Sequence, residues 1–375
     1  MKKQILFLAI FTLAFIFAGT TKSYGQLLPS EFGTAPIPLT SCIGTAQEPK
    51  AGIPYTYLLD ETGTNATATD FQFWATKDQN FISGNPTVTN EVDSLRRTVA
   101  GELLDYSANY LGGGTTPSVD ITWSAEILAN TVYQSDVAGE PTFVVGWATD
   151  GCTDNIKVWE IDPTPSFTVD ITVINDDDML PLPYGDATAE QCVDVVRAAI
   201  YNPSTDGVDY HYGYDTLYYE VVAANFVTSW VPTFFLTGLD GGGIQEASIG
   251  WASSMANAQA GTFIESGDIS GGSLTGSTAI TADPGVLDNS VGLSVYVQVI
   301  INNNNYETLA ASTIGLSVAG EDAEGFDIDD DATCTQPANA ADAADDDVTT
   351  RTLSPRPTLI EGTPTILPNT GIGTP

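Results

Sequence analysis

The chain has few positive charges, and they are unevenly distributed. Its 375 residues include 11 Lys and Arg against 48 Asp and Glu, for a formal net charge of −37. Between Arg197 and Arg351 there is no Lys or Arg, a single histidine (His211) and 22 carboxylate residues. Nucleic acids and bare anionic membranes bind proteins through Lys and Arg. The composition therefore predicts neither of them as a partner.

Signatures of catalysis are also lacking. The chain has no GxSxG motif, no P-loop and no dinucleotide fingerprint, and His211 lies in a tyrosine-rich stretch without a nucleophile motif beside it. A glycosidase needs only two carboxylates at the right separation, but nothing in the sequence selects a pair. We predict a non-catalytic protein, with a glycan-active enzyme as a distant alternative.

The first 25 residues have the organisation of a secretory signal peptide. Lys2 and Lys3 precede an apolar run at residues 5–18, which is too short to span a bilayer comfortably. A small residue, Gly25, precedes the expected cleavage point, and an uncleaved N-terminal anchor is the alternative. No later stretch approaches the length of a membrane span. We therefore expect a secreted or cell-surface protein that is not itself inserted in the membrane.

Short β-prone runs separated by Gly, Pro, Asn and Asp recur along the chain. Residues 119–123 alternate apolar with polar side chains, and residues 293–301 form the clearest such run, which ends in four asparagines. Amphipathic helices are nearly absent, and the best candidate, residues 189–200, could equally be a strand. This pattern predicts an all-β fold built of two immunoglobulin-like β-sandwich domains in tandem.

Composition suggests where these domains begin and end. After the signal peptide at 1–25, the first sandwich is predicted at 26–161 and ends at a stiff Asp-Pro-Thr-Pro linker. The second sandwich is predicted at 162–333. Residues 334–375 read as an acidic linker and an extended tail rich in Thr, Pro and Gly, which could add a strand to a neighbour's sheet. The two arginines in this tail, Arg351 and Arg356, could dock on the acidic body of the chain itself or on that of a neighbour.

Four cysteines lie beyond the signal peptide: Cys42, Cys152, Cys192 and Cys334. An even number in an exported protein suggests two disulfides, although sequence allows three connectivities. The domain boundary favours one bond per domain, Cys42–Cys152 and Cys192–Cys334. A zinc site is the weaker alternative, because the chain has no CxxC pair and a single His.

Two acidic runs are candidate calcium sites, because Ca²⁺ prefers six to eight oxygen ligands. One run comprises Asp327, Asp329, Asp330 and Asp331, and the other comprises Asp176, Asp177 and Asp178. The first does not match an EF-hand loop. Solvated acidic connectors, or adaptation of the whole surface to a saline medium, are the alternatives.

The segment 210–215 (YHYGYD) is rich in aromatic residues and contains a glycine typical of a turn. Exposed tyrosine rings there could stack on sugar faces, with Asp209 and Asp215 accepting hydrogen bonds from sugar hydroxyls. The alternative is that the tyrosines pack at a sandwich edge with their hydroxyls in water.

Several short motifs resemble those of the PKD-like and immunoglobulin-like modules of bacterial cell-surface proteins. They are SCIG at 41–44, followed by YTY at 55–57, FQFW at 71–74 and GCTDN at 151–155. The resemblance covers residues 40–161, and the two cysteines there lie 110 positions apart, too far for the immunoglobulin pattern. It implies extracellular modules that space, adhere or assemble.

Together these features predict a secreted structural or adhesive protein of the cell surface. Its expected partners are other copies of itself, other surface proteins or glycans. The alternative function is a calcium-dependent carbohydrate-binding module.

Overall fold

A computed structural model describes residues 26–60, 67–76, 81, 110–129, 131, 141–175, 177–184, 190–239, 243–283, 286, 289–328, 340 and 348–359. The predicted signal peptide at 1–25 lies outside these residues. Within the described part of the chain, no helix is long and apolar enough to cross a membrane.

Strands dominate the described residues, so the all-β prediction is confirmed. In chain order the strands are β1 (Gln26–Leu27), β2 (Pro54–Leu58), β3 (Asp70–Thr76), β4 (Tyr110–Gly114), β5 (Ser118–Thr122), β6 (Phe143–Thr149), β7 (Asp154–Glu160), β8 (Thr168–Ile174), β9 (Glu190–Cys192), β10 (Ala198–Asn202), β11 (Gly207–His211), β12 (Tyr214–Ala224), β13 (Ser229–Thr237), β14 (Glu246–Ala252), β15 (Glu265–Asp268), β16 (Ser273–Thr275), β17 (Ile280–Ala282), β18 (Leu293–Asn302), β19 (Ser312–Asp322), β20 (Gly325–Phe326) and β21 (Val348–Ser354). The helices are α1 (Ala125–Ala129), α2 (Met255–Gln259) and a 3-10 turn (Asn289–Val291).

The first sandwich contains strands β2 to β7. A four-stranded sheet, ordered β4-β3-β6-β7, faces the two-stranded sheet β2-β5. Alternate residues of both sheets enter one core, which contains Tyr57, Phe73 and Trp123, each at most 1% exposed. The period-2 alternation that sequence shows at 119–123 is therefore the inward and outward alternation of a half-buried strand.

The second sandwich is larger. Its five-stranded sheet, ordered β15-β14-β18-β12-β8, packs on an eight-stranded sheet in which β13 and β19 are central. The inward residues of β18 are Val295, Val297 and Val299, each 0% exposed. The outward residues of β18 are largely polar and are also buried, because another part of the chain covers them.

That covering segment is the beginning of the described chain. Residues 28–37, which we call the strap, follow β1 and cross the outer face of the five-stranded sheet. Three hydrogen bonds hold the strap: Glu31 N–H to Tyr296 Oη (2.9 Å), Thr34 Oγ1 to Glu220 Oε2 (2.7 Å) and Ile37 N–H to Asp170 Oδ2 (2.9 Å). As a result Asp170 is only 7% exposed and Glu220 is 0% exposed.

Both ends of the described chain belong to the second sandwich, which corrects the predicted boundaries. β1 pairs in parallel with β17, so residues 26–37 are not part of the first sandwich. β21, which lies in the predicted tail at 334–375, pairs antiparallel with β19 and parallel with β9. Arg351 and Leu353 in β21 are 1% and 0% exposed. This segment forms a strand because every second side chain is buried in the second sandwich. Its composition alone does not predict that burial.

The predicted linker at 162–165 is fixed by hydrogen bonds rather than extended in solvent. Asp162 N–H donates to the Gln47 carbonyl at 2.7 Å, and Lys50 Nζ donates to the Pro165 carbonyl at 2.7 Å. Lys50 is 4% exposed, and burial lowers its pKa. The segment before β2 therefore packs against the connection between the two sandwiches.

The cysteines do not pair as predicted. Cys42 is buried and disulfide-bonded, whereas Cys152 and Cys192 are free and exposed. Neither Cys42–Cys152 nor Cys192–Cys334 therefore forms. Cys152 lies at the exposed turn between β6 and β7. Cys334 lies outside the described residues.

Candidate functional site

A two-stranded hairpin is attached to one end of the second sandwich. We call residues 194–214 the aromatic hairpin. Its strands β10 and β11 pair antiparallel, with Ala199 opposite Tyr210 and Tyr201 opposite Val208. Within the described part of the chain, these two strands pair only with each other, so each has one open edge. The hairpin enters from β9 and leaves into β12, both of which belong to the sandwich sheets.

The aromatic hairpin concentrates exposed apolar side chains. Of the 17 large hydrophobic residues that are exposed in the described structure, seven fall in this stretch of about twenty residues. They are 45–65% exposed: Val195, Val196, Ile200, Tyr201, Val208, Tyr210 and Tyr214. Scattered apolar residues on a surface need no explanation, but seven of them on one short hairpin are candidates for a contact surface.

The two faces of the hairpin differ in chemistry. Side chains alternate along each strand, so Tyr201, Val208 and Tyr210 share one face. The opposite face carries Ile200 and Asp209. Strand β10 itself contains no charged residue, although the chain as a whole is strongly acidic.

Polar side chains are held in place at the tip. The Tyr201 hydroxyl donates to Asp206 Oδ1 at 2.7 Å, and this bond raises the pKa of Tyr201. Asn202 Nδ2 donates to Asp209 Oδ2 at 2.8 Å. These bonds orient the tyrosine and the two carboxylates before any partner arrives, which lowers the entropic cost of binding.

A buried polar network anchors the base of the hairpin. Asp215 is 1% exposed and accepts from the Asp194 N–H at 2.6 Å and from Asn303 Nδ2 at 2.7 Å. Asn303 accepts in turn from Gln245 Nε2 at 2.7 Å. Burial raises the pKa of Asp215, and the bond from Asn303 opposes this effect. Because its two oxygens are occupied and buried, Asp215 cannot accept hydrogen bonds from a ligand.

Asp194 closes the base from the other side. Its carboxylate accepts from Tyr214 N–H, from Val195 N–H and from Arg197 Nε, the last at 2.8 Å. Burial pushes the pKa of Asp194 upward, but these hydrogen bonds outweigh it and the net shift is downward. Gly213 is required here, because it adopts φ +88° and a β-carbon would lie 2.7 Å from the Val195 carbonyl oxygen.

Aromatic stacking extends the anchor toward the end of the described chain. Tyr210 stacks on Tyr212 with ring centroids 5.7 Å apart and an interplanar angle of 14°. The Arg356 guanidinium lies 5.1 Å from the centroid of the Tyr212 ring and donates to the Tyr212 carbonyl. Arg356 therefore docks on the chain's own body, one of the two alternatives that sequence left open.

Sequence located only part of this surface. It singled out residues 210–215, of which Tyr210 and Tyr214 are exposed whereas Tyr212 is 8% exposed. It missed Ile200 and Tyr201, because residues 189–200 are the best helix candidate or a single strand by sequence, whereas the structure has two strands in this region, β9 and β10. The signal that would have found them is the turn-rich NPSTDG at 202–207 between two short apolar runs.

The predicted calcium ligands lie elsewhere and do not come together in the described structure. Asp327 is 0% exposed, and its Oδ1 accepts from the Gly320 N–H at 2.7 Å, a structural role. Asp178 accepts from the Leu180 N–H in an exposed turn that also contains Asp177. Asp176, Asp329, Asp330 and Asp331 lie outside the described residues. Among those that are described, no group of three His, Cys, Asp or Glu side chains could hold a metal ion. Calcium binding stays a prediction.

Comparison with known proteins shows no family membership. No family model matches the chain, and no curated protein matches it. Among solved structures, the N-terminal domain of PorA is 8% identical, with 49% of this chain and 95% of that domain covered and a TM-score of 0.22. CfaE, the adhesive subunit of the CFA/I fimbria of enterotoxigenic Escherichia coli, is 10% identical, with 81% and 94% covered and a TM-score of 0.25. The major pilin SpaA of Corynebacterium diphtheriae is 8% identical, with 71% and 62% covered and a TM-score of 0.17. At these scores the matches carry no argument about function.

Proposed function

We propose that this is an exported, non-catalytic protein of the cell surface that acts as a structural or adhesive contact module through its aromatic hairpin. The observation that carries the proposal is the cluster of seven exposed apolar residues on a hairpin whose strand edges are open. Tyrosines that are partly exposed and held in one orientation are the residues that dominate protein interfaces.

The polar groups around the hairpin also support a binding role over a catalytic one. His211 Nδ1 accepts from the Gly213 N–H at 3.1 Å, so the histidine helps to shape the turn. Asp194 and Asp215 are both occupied by hydrogen bonds from the chain itself. The groups that would otherwise be candidate acids or bases therefore hold the hairpin in position.

An attachment assay tests the proposal. Labelled protein comprising residues 26–375 would be added to cells of the source organism that keep the gene, so that copies of this chain and other surface partners are both available. The Tyr201→Ser/Tyr210→Ser variant is expected to lose most of the attachment, because it removes the aromatic face. Leu309→Ser, which changes a residue that is 48% exposed outside the hairpin, is the matched control. Equal attachment by all three proteins would refute the proposal.

The second candidate function is carbohydrate binding, and one arrangement favours it. Tyr210 is 46% exposed and backed by Tyr212, while the Tyr201–Asp206 pair, whose tyrosine lies on the same face of the hairpin, offers a hydroxyl and a carboxylate of fixed orientation. Stacking on an aromatic ring combined with such polar pairs suits a sugar. A glycan array probed with and without chelator tests this function and separates it from calcium dependence. Specific glycan binding that Tyr210→Ser abolishes would support it.

A further inference from the structure

We propose that the partner of the aromatic hairpin is a second copy of this chain, joined by antiparallel pairing of the two β10 edges about a twofold axis at Ile200. The product is a continuous four-stranded sheet in the order β11, β10, partner β10, partner β11. This inference rests on the proposed function and names the partner of the same surface.

The edge of β10 lacks the features that normally prevent such pairing. Natural edge strands are protected by charged side chains, by proline or by bulges. Two other edge strands of this protein follow that rule: β7 carries Asp154, Lys157 and Glu160, and β15 carries Glu265 and Asp268. By contrast, β10 reads AAIYN, with neither a charge nor a proline, and its first four residues are small or β-prone.

Pairing about Ile200 produces matched neighbours. In an antiparallel pair with its twofold axis at this residue, Ile200 faces the partner's Ile200 and each Ala199 faces the partner's Tyr201. A small residue opposite a large aromatic one lets the rings pack across the junction. Ile200 and Tyr201 are 65% and 59% exposed in the single chain, so both have surface to bury.

Charge restricts where two copies can meet, and it favours this edge. With a formal net charge of −37, two copies repel one another over most of their surface. In the proposed register, Arg197 at one end of β10 approaches the partner's turn 203–206, which contains Asp206. The side chain of Arg197 is 58% exposed, and its bond to Asp194 uses Nε and Nη2, which leaves Nη1 for the partner's carboxylate.

The size of the junction sets its strength. Five residues per strand bury less than a standard interface of about 800 Å² per partner, so we expect association in the micromolar range. Added salt screens the repulsion between two acidic bodies. The dimer is therefore expected to become tighter as the NaCl concentration rises from about 0.05 to 0.5 M, because the distance over which charges repel shortens across this range.

A charge-exchange experiment tests the inference. Residues 26–375 would be studied by sedimentation equilibrium from about 1 to 200 µM, the range in which small interfaces associate. All proteins carry Cys152→Ser and Cys192→Ser, so that the free thiols cannot link copies. Ile200→Lys alone and Ile200→Glu alone each place like charges opposite one another, and are expected to weaken dimerisation by about 10- to 100-fold. An equimolar mixture of the two is expected to restore a dimer, because opposite charges then face each other.

Val208→Lys is the matched control, since it makes the same kind of change on the other strand of the hairpin and should leave the dimer intact. A monomeric parent protein at every concentration, failure of the mixture to associate, or equal disruption by Val208→Lys would each overturn the inference. The attachment assay separates this outcome from the proposed function. If Ile200→Lys is monomeric and still attaches to cells, adhesion does not depend on the dimer. If the parent is monomeric but the Tyr201→Ser/Tyr210→Ser variant fails to attach, the dimer is wrong and the contact function stands.

Discussion

Relative to the parent, the Asp170→Asn variant should become more stable as the pH rises. Burial beneath the strap raises the pKa of the Asp170 carboxyl from its ordinary value of 3.8 to about 7, although the bond from the Ile37 N–H acts in the opposite direction. Between these two values the folded protein holds a proton on Asp170 that the unfolded chain has released. The stability that this proton contributes is complete below pH 3.8 and is lost as the pH rises through 7.

The expected magnitude follows from the same two values. One pKa unit corresponds to about 1.4 kcal/mol, so raising the pH from about 5 to about 8 should cost the parent roughly 3 kcal/mol through Asp170. The amide of the Asp170→Asn variant has no proton to lose, and its oxygen can still accept from the Ile37 N–H. The unfolding free energy of the variant minus that of the parent should therefore increase by roughly 3 kcal/mol over this range.

Urea unfolding followed by tryptophan fluorescence at several pH values measures this difference. The parent and the variant share every other carboxylate, so the difference between them isolates Asp170. Asp177→Asn, on an exposed turn, is the control and should show no such trend. A difference between Asp170→Asn and the parent that does not change with pH would refute the assignment of a buried, protonated carboxyl.

Three further predictions concern the corrected boundaries, the hairpin and the cysteines. Leu353→Ala should lower the unfolding free energy by about 2–5 kcal/mol, because it opens a cavity in the core. Leu359→Ala, which changes a residue that is 86% exposed, should alter it little. Equal effects of the two substitutions in thermal unfolding would show that β21 is not part of the sandwich core. Gly213→Ala should loosen the base of the hairpin, because alanine disfavours the positive φ and its β-carbon would collide with the Val195 carbonyl. Hydrogen exchange in β10 and β11 should therefore accelerate. Unchanged exchange would show that Gly213 does not anchor the hairpin. Maleimide should label Cys152 and Cys192 in the folded protein without denaturant, and protection of either thiol would contradict their exposure.

Strands with a strong local pattern could be predicted from the sequence. β18 appears as the alternating run at 293–301, and β5 appears within 119–123, because every second side chain of each strand is apolar and enters the core of its sandwich. The all-β class follows from many such runs. The turn at 302–305 also follows from its four asparagines, whose side chains tolerate left-handed backbone; Asn304 adopts φ +45°.

Elements whose stability comes from distant partners could not be predicted. β21 is a short segment with three Thr and one Arg, and its burial depends on β19 and on β9, about 160 residues earlier. Arg351 is buried because it donates to Gln191 Oε1 and to the Ile174 carbonyl, and neither contact leaves a trace in local sequence. The strap is similar, since its bonds join residues 31–37 to side chains more than 130 positions away.

The candidate site could likewise be predicted only in part from the sequence. Composition pointed to the tyrosines at 210–215 but could not show that Asp215 is buried by Asn303 and Asp194. β10 is exposed because it pairs with β11 in a separate two-stranded sheet in the described part of the chain. This position depends on how all the strands are arranged, and local sequence does not show it.

The position of β21 has a consequence for how the chain matures. The eight-stranded sheet contains β1 from the start of the described chain and β21 from its end, so it cannot close until both have been delivered. The first sandwich lies between β1 and β8 in the chain, and its strands pair only with one another in the described structure, so it can fold before the rest of the chain is complete. The second sandwich, with its long-range pairings, must fold late. The eight-stranded sheet therefore stays incomplete until β21 has been synthesised, and the second sandwich gains its full stability only when β21 pairs with β19 and β9.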